Sequence, residues 1–589
     1  MSIQASEARV TAESQSTIAE QLITECLNAG ANFRLEAGAG AGKTYSLVES
    51  LEYVMQNQKD LLPRPYQRVA CLTYTRAARD EIVQRTDKNP LIFCNTLHGF
   101  LWEMIRPFQK QLAIEIFSLD KWTELLEGRE SLHGISVEYD TGIRHLGEAS
   151  LSLHHDDIPT LAIALFALKK FRALVTDRFP LFFIDEYQDT PDGLIEAMLN
   201  GTDTDARSPI MGFFGDHWQQ IYDNTCGLVT HASLTAIDKH SNFRSSRTIV
   251  EFLNGLRPEL PQYPPESAAT GSVTIYHSND WPGTRLGRNW KGQISHEASH
   301  ASIDWAHADA LNRRWNNPSA DTKVLMLTHA AIANELGYGS LPSIFTYNES
   351  FAKKEDDVIQ YLIDVVEPAI GAYSSRRFGF VFGLLGKKPL MKRAQDKGTW
   401  AKFFDQLADL RLTGSVGEVL DVLLTQTLFK TPDAISRRQA QLVEGKKSAD
   451  GTALPRRLRE LEDLRAVSYK EILALAEYVE GRTALSTKHN VKGAEFSNVL
   501  VVLGRGWASY DFAKMLERFP TARGLADKER KSYEHSRNLF YVACSRPKDN
   551  LVLVFTQELS EGAIATLEGW AGAENVIALK YVDEHTLCG

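Results

Sequence analysis

The chain has 589 residues, of which 43% are hydrophobic and 24% charged, a composition typical of a folded globular protein rather than a fibrous or disordered one. Its length allows about three to five domains of ~100–200 residues each. Asp and Glu outnumber Lys and Arg by 75 to 65, which gives a net charge of −10. This balance excludes a protein that coats nucleic acid with its whole surface, and it allows one with a local basic channel.

The cysteines and the apolar runs indicate where such a chain would work. The six cysteines are spread singly, without a CxxC pair or a cluster able to hold an iron–sulfur centre or a structural zinc. The N-terminus has no apolar core of a secretory signal, and the longest apolar run, 158–168, is far shorter than the ~20 residues that span a bilayer. The sequence therefore predicts a cytoplasmic protein with reduced thiols and no membrane role.

Short apolar runs, each followed by a polar turn and a helical segment, predict parallel strands in an α/β fold. The runs are 33–35, 69–73, 181–184, 210–214, 324–327, 499–503 and 551–555. Regions near 100–175 and 340–480 lack clear strands and are predicted to be helix-rich. Four of the 21 prolines lie in 258–271, which we expect to be the boundary between a front and a rear half.

Two segments have a strongly uneven charge. Residues 115–157 contain ten acids and three bases, whereas 376–397 contain seven bases and one acid. A charge run is usually a solvated helix face. The basic run is interleaved with Phe378, Phe380 and Phe382, so a surface that contacts phosphates is the alternative.

The first run is followed by a phosphate-binding pattern, with Ala at its first position and GKT at its end. Small residues let the backbone N–H groups turn towards phosphate oxygens, and the positive end of the next helix faces them as well. Lys43 would neutralise phosphate charge, and the Thr44 hydroxyl would ligate Mg²⁺. We expect ATP to be bound by Ala37, Gly38, Ala39, Gly40, Ala41, Gly42, Lys43 and Thr44.

A pair of carboxylates at the end of the 181–184 run completes the predicted site. Asp185 would hold Mg²⁺, directly or through water, and Glu186 is placed to accept a proton from an attacking water. Because a kinase needs no such base for water, the pair favours hydrolysis of a nucleoside triphosphate.

The phosphate loop, together with DEYQD at 185–189, resembles the superfamily 1 DNA helicases of the UvrD/Rep/PcrA type. That family has further motifs in a fixed order, and similar segments occur here in that order. They are LTYTRAARDEI (72–82), NTLHGF (95–100), FGDHWQQIY (214–222), NFRSS (242–246), STKHNVKGAEF (486–496) and RNLFYVACSRPK (537–548). Eight ordered matches across 15–556 are far more specific than any single one.

The resemblance implies an α/β fold of two RecA-like P-loop domains with parallel sheets, each interrupted by a mainly helical insertion. The first domain would comprise 1–100 and 176–257, with the insertion at 101–175. The second would comprise 258–340 and 481–589, with the insertion at 341–480.

The resemblance also assigns roles around the nucleotide. Gln219 would sense the γ-phosphate and its water, and Arg244 and Arg546 would reach the γ-phosphate as arginine fingers from the two lobes. Phe243 would stack on the base, and Glu495 would contact the ribose. Catalysis is thus expected from Lys43, Asp185, Glu186, Gln219, Arg244 and Arg546. Either Gln15 or Gln21 would contact the adenine edge, and the sequence leaves that choice open.

Positions that hold single-stranded DNA in the family are also matched, and in that family stepping runs 3′ to 5′. They are Tyr74, Thr75, Thr96, His98, Thr487 and His489. Tyr74 offers a stacking face, and the hydroxyls and imidazoles offer phosphate contacts without reading sequence.

One departure from the family bears on unwinding. Its RWRGA segment, whose tryptophan stacks on DNA, is replaced here by Asp223, Asn224, Thr225 and Cys226, and Trp218 is the nearest candidate for a substitute platform. About 33 residues follow Thr556, too few for a nuclease domain, so cutting is expected from another subunit.

The leading hypothesis is an ATP- and Mg²⁺-dependent translocase or helicase acting on single-stranded DNA or tailed duplexes, in repair or antiphage defence. The alternative is a DNA-stimulated ATPase that senses DNA and regulates a partner nuclease with little processive unwinding. Compact UvrD-like proteins of this kind occur beside nucleases in antiphage systems, such as the helicase-like subunit of Gabija.

Overall fold

The structure is a computed structural model. It describes residues 10–139, 144–199, 209–220, 224–287, 290–315, 321–326, 333, 336–345, 350–352, 354, 356–384, 394–425, 431–447, 454–480, 485–486, 494–504 and 510–580. The chain forms two compact units. Unit 1 comprises Met1–Asp321 and Glu495–Gly589, and unit 2 comprises Thr322–Ala494.

The strands of both units are numbered in chain order. They are β1 Asn32–Ala37, β2 Val69–Thr73, β3 Ile92–Thr96, β4 Ser136–Tyr139, β5 His145–Leu146, β6 Ser150–Leu153, β7 Leu181–Asp185, β8 Ile210–Gly215, β9 Leu234–Lys239, β10 Ser272–His277, β11 Thr322–Met326, β12 Leu485–Ser486, β13 Phe496–Leu503, β14 Pro547–Phe555 and β15 Val576–Ala578.

The α-helices of unit 1 are numbered in the same way. They are α1 Ala12–Ala29, α2 Lys43–Gln56, α3 Gln58–Leu61, α4 Arg76–Arg85, α5 Leu97–Ile105, α6 Gln109–Glu115, α7 Asp157–Phe166, α8 Lys169–Arg178, α9 Leu194–Leu199, α10 Arg247–Leu256, α11 His296–Asp309, and, after unit 2 in the chain, α21 Phe512–Arg518, α22 Asp527–Cys544 and α23 Glu561–Ala571. Those of unit 2 are α12 Leu341–Ile344, α13 Asp357–Tyr361, α14 Glu367–Ser374, α15 Phe378–Leu384, α16 Ala394–Thr413, α17 Val416–Thr425, α18 Asp433–Lys447, α19 Arg456–Ala466 and α20 Tyr469–Val479.

The first sheet of unit 1 has the strand order β3-β2-β7-β8-β1-β9, and every pairing in it is parallel. Its central strands are buried on both faces, which explains their continuous apolar sequences. On one face Phe33, Phe183 and Phe214 pack against one another with ring centroids 5.6–6.3 Å apart. The parallel order brings all the carboxyl ends to one edge, where ligands bind in open α/β sheets.

A second parallel sheet in unit 1 contains β13, β14, β10 and β15 in that order. The pairing of β13 with β14 runs over most of both strands, and most residues of the two strands are buried. Helix α22 leads into β14 and carries much of the RNLFYVACSRPK motif, so the second sheet fixes the position of Arg546 directly before β14.

The region 101–175 differs from the prediction that it lacks strands. Besides α5 to α8 it contains β4, β5 and β6, which form a small mixed sheet. These strands are short and half exposed, which explains why their apolar pattern is weak in the sequence. The buried Asp157 connects parts of this region, since it accepts hydrogen bonds from Arg144 at 2.6 Å and from the indole of Trp122 at 3.1 Å.

Unit 2 is mainly helical, with β11 paired in parallel to β12. Tyr373 stacks on Phe404 with ring centroids 4.4 Å apart, and the buried Glu367 carboxylate accepts a hydrogen bond from Arg411 at 2.8 Å. Burial raises the pKa of Glu367, and the Arg411 charge only partly offsets that shift. Among the helices of the described residues, none has the length and apolarity that crossing a membrane requires.

The predicted fold class, α/β with RecA-like domains built on parallel sheets, is confirmed. The predicted runs lie in β1, β2, β7, β8, β11, β13 and β14, although residue 327 is outside the described residues. Outside 101–175, the sequence prediction missed β3, β9 and β10, in which polar and apolar residues are mixed, and the short strands β12 and β15. The bounds of the four domains proposed from the sequence remain a prediction.

Candidate active site

The predicted nucleotide residues lie along the carboxyl edge of the first sheet. Ala37, Asp185, Gly215 and Lys239 are the last residues of β1, β7, β8 and β9. Lys239 is buried and anchors the neighbouring helices, because its ammonium group donates to Ser46 of α2 at 2.6 Å and pairs with Glu20 of α1 at 2.8 Å. The parallel topology thus brings together segments that are far apart in the sequence.

The phosphate loop leaves β1 and leads directly into α2, whose first residue is Lys43. Gly40 and Gly42 have positive φ angles of 75° and 81°, which glycine adopts without strain. At Gly40 a Cβ atom would also lie 2.6 Å from the Asn242 side chain, so the loop needs glycine there on both counts. The Lys43 ammonium group donates to the Ala37 carbonyl at 3.3 Å, which holds it over its own loop.

Gln262 supports the loop from the segment that the sequence predicts to be a domain boundary. It is buried, and its amide donates to the carbonyls of Ala39 and Ser241 at 3.2 and 2.8 Å. A Cβ atom at Gly38 would lie 2.8 Å from this amide. The sequence offers no signal for this role, because it depends on the chain returning beneath the loop.

The two predicted acids lie where the sequence places them. Asp185 is buried at the end of β7, and Glu186 follows with φ at +50°, an uncommon value for a residue with a side chain. Such backbone strain concentrates at functional sites. The Gln188 amide donates to the Glu186 carboxylate at 2.6 Å, and its carbonyl accepts from the Asp216 backbone N–H at 3.0 Å. Gln188 therefore links Glu186 to the loop that follows β8.

Gln219 and the two predicted arginine fingers lie together. Gln219 is buried and accepts a hydrogen bond from the Arg546 guanidinium at 3.1 Å. Arg546 is 1% exposed, and the Arg244 guanidinium donates to the Ser545 carbonyl at 3.1 Å beside it. The structure thus brings the predicted Gln219, Arg244 and Arg546 into one cluster.

The electrostatics of this cluster favour an anionic ligand. Burial, and then the neighbouring Arg244 charge, lower the pKa of Arg546 to about 9. Burial also lowers the pKa of Arg244, and the carboxylates of Glu495 and Glu186 act against that shift. Two like charges held close together in a buried place repel each other, and a phosphate group would relieve this repulsion.

The side chains predicted to hold the base and ribose are more exposed. Phe243 is 46% exposed and lies beside Gly42 together with Tyr45, a second exposed aromatic that the sequence analysis did not single out. Glu495 forms ion pairs with Arg244 at 3.5 Å and with Lys548 at 3.4 Å. Their contacts with base and ribose remain predictions, as does the choice between Gln15 and Gln21.

Helix α22 makes a further contact with the phosphate loop. The hydroxyl of the buried Tyr541 accepts a hydrogen bond from the Ala39 backbone N–H at 2.9 Å. Asn538 of the same helix donates to the carbonyls of His217 and Gln220, both at 3.3 Å. The only sequence signal for these residues is their place in the RNLFYVACSRPK motif.

The predicted DNA-contacting residues that the structure describes lie at the ends of β2 and β3. Tyr74 and Thr75 are exposed, and the Thr75 hydroxyl caps α4 by accepting from the Ala78 N–H at 3.1 Å. The Thr96 hydroxyl caps α5 in the same way, at 3.2 Å from the Gly99 N–H. Each contact uses one lone pair of the hydroxyl, and the roles of both residues towards DNA remain predictions.

His98 lies against the insertion. Its ring stacks on His155 with centroids 3.6 Å apart, and burial, followed by the His155 charge, lowers the pKa of His98 to about 4. His98 is therefore neutral at neutral pH and offers hydrogen bonds rather than a charge. Thr487 and His489 lie outside the described residues.

Trp218 does not provide the substitute stacking platform that the sequence suggested. It is 4% exposed, with the Arg537 guanidinium 3.8 Å from its ring centroid and Tyr541 packed edge-on at 5.5 Å. The aromatic face that a base would need is covered by protein. The expectation was wrong because sequence proximity to a motif does not indicate which way a side chain is buried.

Comparison with known proteins agrees with this geometry. Residues 21–225 match a family described as an AAA domain. Over 89% of its length the chain is 20% identical to Gabija protein GajB of Bacillus cereus strain HuB5-5, of which the alignment covers 93%. The predicted resemblance to UvrD-like helicases is confirmed. Gabija protein GajB of Bacillus cereus strain VD045 is 28% identical over 40% of this chain and 47% of that protein.

Proposed function

We propose that the protein is an ATP-dependent translocase or helicase that moves 3′ to 5′ on single-stranded DNA and hydrolyses ATP between two RecA-like lobes. The observation that carries this proposal is the meeting of Gln219, Arg244 and Arg546 at the edge that also holds the phosphate loop and Glu186. Arg546 precedes a strand of the second sheet, whereas Gln219 follows a strand of the first. Closure of the lobes around a nucleotide would thus change the contact between Arg546 and Gln219.

The residues present fit Mg²⁺-ATP. The Gly40 cradle, which a Cβ atom would fill, leaves backbone N–H groups to approach phosphates, and the Thr44 hydroxyl and Asp185 carboxylate are the hard oxygen donors that Mg²⁺ prefers. When bound, the ion would neutralise phosphate charge. The proposal assigns it to Thr44 and Asp185.

The side chains then divide the chemistry among them. Glu186, held by Gln188 at 2.6 Å, accepts the proton of the attacking water, and the Gln219 amide orients that water. Arg244 and Arg546 stabilise the negative charge that develops on the transferred phosphoryl group. Lys43 exchanges its contact with the Ala37 carbonyl for a phosphate oxygen.

Charge at the start of α4 supports a phosphate-binding role for the DNA surface. Arg76 and Arg79 lie in its first turn, where the helix dipole is already positive, and Arg79 pairs with the adjacent Asp80 at 2.7 Å. The Arg76 cation in that position would be stabilised by a bound anion, and Tyr74 directly before the cap offers a base a stacking face. In unit 2, Phe378 and Phe380 are also exposed, with Arg377 5.8 Å from the Phe380 ring centroid.

A second candidate function is a DNA-stimulated ATPase that regulates a partner nuclease with little processive unwinding. The burial of Trp218 favours it, because the stacking platform expected after β8 is then missing among the described residues of that loop. The similarity to Gabija protein GajB supports a place in antiphage defence rather than repair, beside a nuclease subunit.

Strand displacement distinguishes the two candidates. The experiment measures ATP-dependent unwinding of a duplex with a 3′ tail, a duplex with a 5′ tail and a blunt duplex, with ATPase measured on the same substrates. The translocase proposal predicts unwinding of the 3′-tailed duplex alone. ATPase stimulation without unwinding would favour the second candidate, and unwinding of only the 5′-tailed duplex would overturn the proposed direction.

A further inference from the structure

A buried network of charges lies directly behind the phosphate loop. Its central residue, Arg257, lies outside all eight sequence motifs. Arg257, just after α10, is 2% exposed. One end of its guanidinium pairs with Asp216 at 2.6 Å and the other with Glu36 at 2.9 Å. Glu36 is the residue before Ala37 in β1, and Asp216 directly follows β8. Arg257 therefore joins the base of the phosphate loop to the loop that carries Gln219.

The network continues to the catalytic cluster. The second oxygen of the Asp216 carboxylate accepts a hydrogen bond from the Gln219 side-chain N–H₂ at 2.8 Å. This contact fixes the rotation of the Gln219 amide, so that its carbonyl oxygen faces Arg546 at 3.1 Å. A side-chain amide has a donor end and an acceptor end, and which of them faces Arg546 depends on Asp216.

The other contacts of the network are equally specific. Glu36 also accepts from the Tyr187 hydroxyl at 2.5 Å and contacts the His217 ring at 2.7 Å. Burial raises the pKa of Glu36, but the hydrogen bond from His217 and the charges of His217 and Arg257 outweigh it and lower the pKa to about 2. The carboxylate is thus ionised at any pH at which the protein works.

The network is not arranged as a metal site. Ligand atoms of Glu36, Asp216 and His217 lie within 4.8 Å of one another, as a metal site requires. Both carboxylates, however, pair with the Arg257 guanidinium, which supplies the positive charge that an ion would bring. Removing one partner of such a buried pair leaves an uncompensated charge, which is costly.

We propose that Arg257 is a positioning residue of ATP hydrolysis, which holds Asp216 so that the Gln219 amide keeps its carbonyl towards Arg546. The inference rests on the proposed function, since Gln219 has a role only if ATP is hydrolysed here. Arg257 is buried against Asp216 and Glu36, and its effect on turnover passes through Asp216 and Gln219. Because a misplacement of about 1 Å can cost ~10²-fold in rate, we expect Arg257→Ala to lower kcat by about that factor.

The matched control is Arg144→Ala. Arg144 also pairs with a buried aspartate, Asp157, at 2.6 Å, but that pair belongs to the insertion. Both substitutions should lower the thermal midpoint, because each leaves a buried carboxylate without its cation. Only Arg257→Ala should lower kcat, while its Kd for a fluorescent ATP analogue stays close to that of the wild type. An equal loss of kcat in both variants would overturn the proposal.

A double-mutant cycle tests the route of the effect without removing the charge. Arg257→Lys keeps the cation but loses the planar guanidinium, which holds Asp216 and Glu36 through two separate nitrogens, so kcat should fall in the otherwise wild-type protein. In a Gln219→Ala background the same change should alter kcat by less than about twofold, since the group through which it acts is gone. Equal losses in both backgrounds would overturn the proposal. A wild type without ATP turnover would overturn the proposed function, and this inference with it.

Discussion

The nucleotide edge and the predicted DNA surface lie along the same edge of the first sheet, yet they are built in opposite ways. Gln219 and Arg546 are 3% and 1% exposed and are held by several hydrogen bonds, whereas Tyr74 is 38% exposed. Chemistry on a phosphoryl group needs groups fixed before the reaction starts, while a track for a moving strand needs faces that solvent can reach. Substitutions at the first region should therefore change turnover, and those at the second should change DNA affinity.

The largest effect is expected at Arg546. Arg546→Ala should lower ATP turnover by about 10³-fold or more, the range of arginine fingers, and leave nucleotide binding nearly unchanged. Steady-state ATPase, with binding of a fluorescent ATP analogue as its control, measures both quantities. A large loss of binding with normal turnover would contradict the finger role.

The next effect is expected at Glu186. Glu186→Gln keeps the shape of the side chain and its contact with Gln188 but cannot take a proton, so turnover should fall by about 10²–10⁴-fold. Lys43→Ala should also abolish hydrolysis, but through loss of phosphate binding. Single-turnover kinetics distinguishes a loss of the chemical step from a loss of phosphate binding. Normal turnover in Glu186→Gln would show that Glu186 is not the base.

A smaller and different effect is expected on the DNA surface. Tyr74→Ala should weaken binding of single-stranded DNA by ~1–3 kcal/mol and leave DNA-independent ATPase unchanged. The matched control is Tyr66→Ala. Tyr66 is also an exposed tyrosine, but it is not among the predicted DNA-contacting residues, and its hydroxyl donates to Asp177 at 2.8 Å. Fluorescence anisotropy with a labelled oligonucleotide gives the affinities. If both variants bound DNA as the wild type does, Tyr74 would have no part in the track.

The smallest effect is a pH dependence of stability at His98. Its pKa in the folded protein, about 4, lies below the ordinary value near 6.5, so the unfolded chain binds more protons between these values. This contribution to stability is present above pH 6.5 and is lost as the pH falls towards 4. His98→Phe keeps a ring against His155 and cannot protonate, so its thermal midpoint should fall less than that of the wild type between pH 7 and pH 5. Equal falls would show that His98 is not responsible.

The sequence predicts the nucleotide edge better than anything around it, for a physical reason. Phosphate binding and water activation require particular residue types at fixed spacing, so the loop at 37–44 and the Asp185–Glu186 pair are recognisable without a structure, whereas Arg546 is assigned through the family resemblance. The supporting residues, Arg257 and Gln262, act through contacts that form only when the segment after α10 folds back against the phosphate loop and the loop after β8. Both lie in or next to a proline-rich stretch that has the composition of a linker.

The structure differs from the sequence-based predictions for the same reason. Trp218 is the nearest candidate for a substitute stacking platform in the sequence, but Arg537 and Tyr541 cover it. Strands β4 to β6 were missed because a small, half-exposed sheet needs few apolar residues. Local residue patterns predict strands that are buried on both faces and chemistry that needs fixed spacing. They do not predict which neighbours the tertiary fold supplies.

The central claim is that ATP hydrolysis at the buried edge is coupled to DNA on the exposed one. Its most direct test is the steady-state ATPase of the wild type with and without single-stranded DNA, with Glu186→Gln measured alongside. The account predicts turnover that rises when DNA is added and that is lost in Glu186→Gln under both conditions. Turnover that single-stranded DNA leaves unchanged would contradict it.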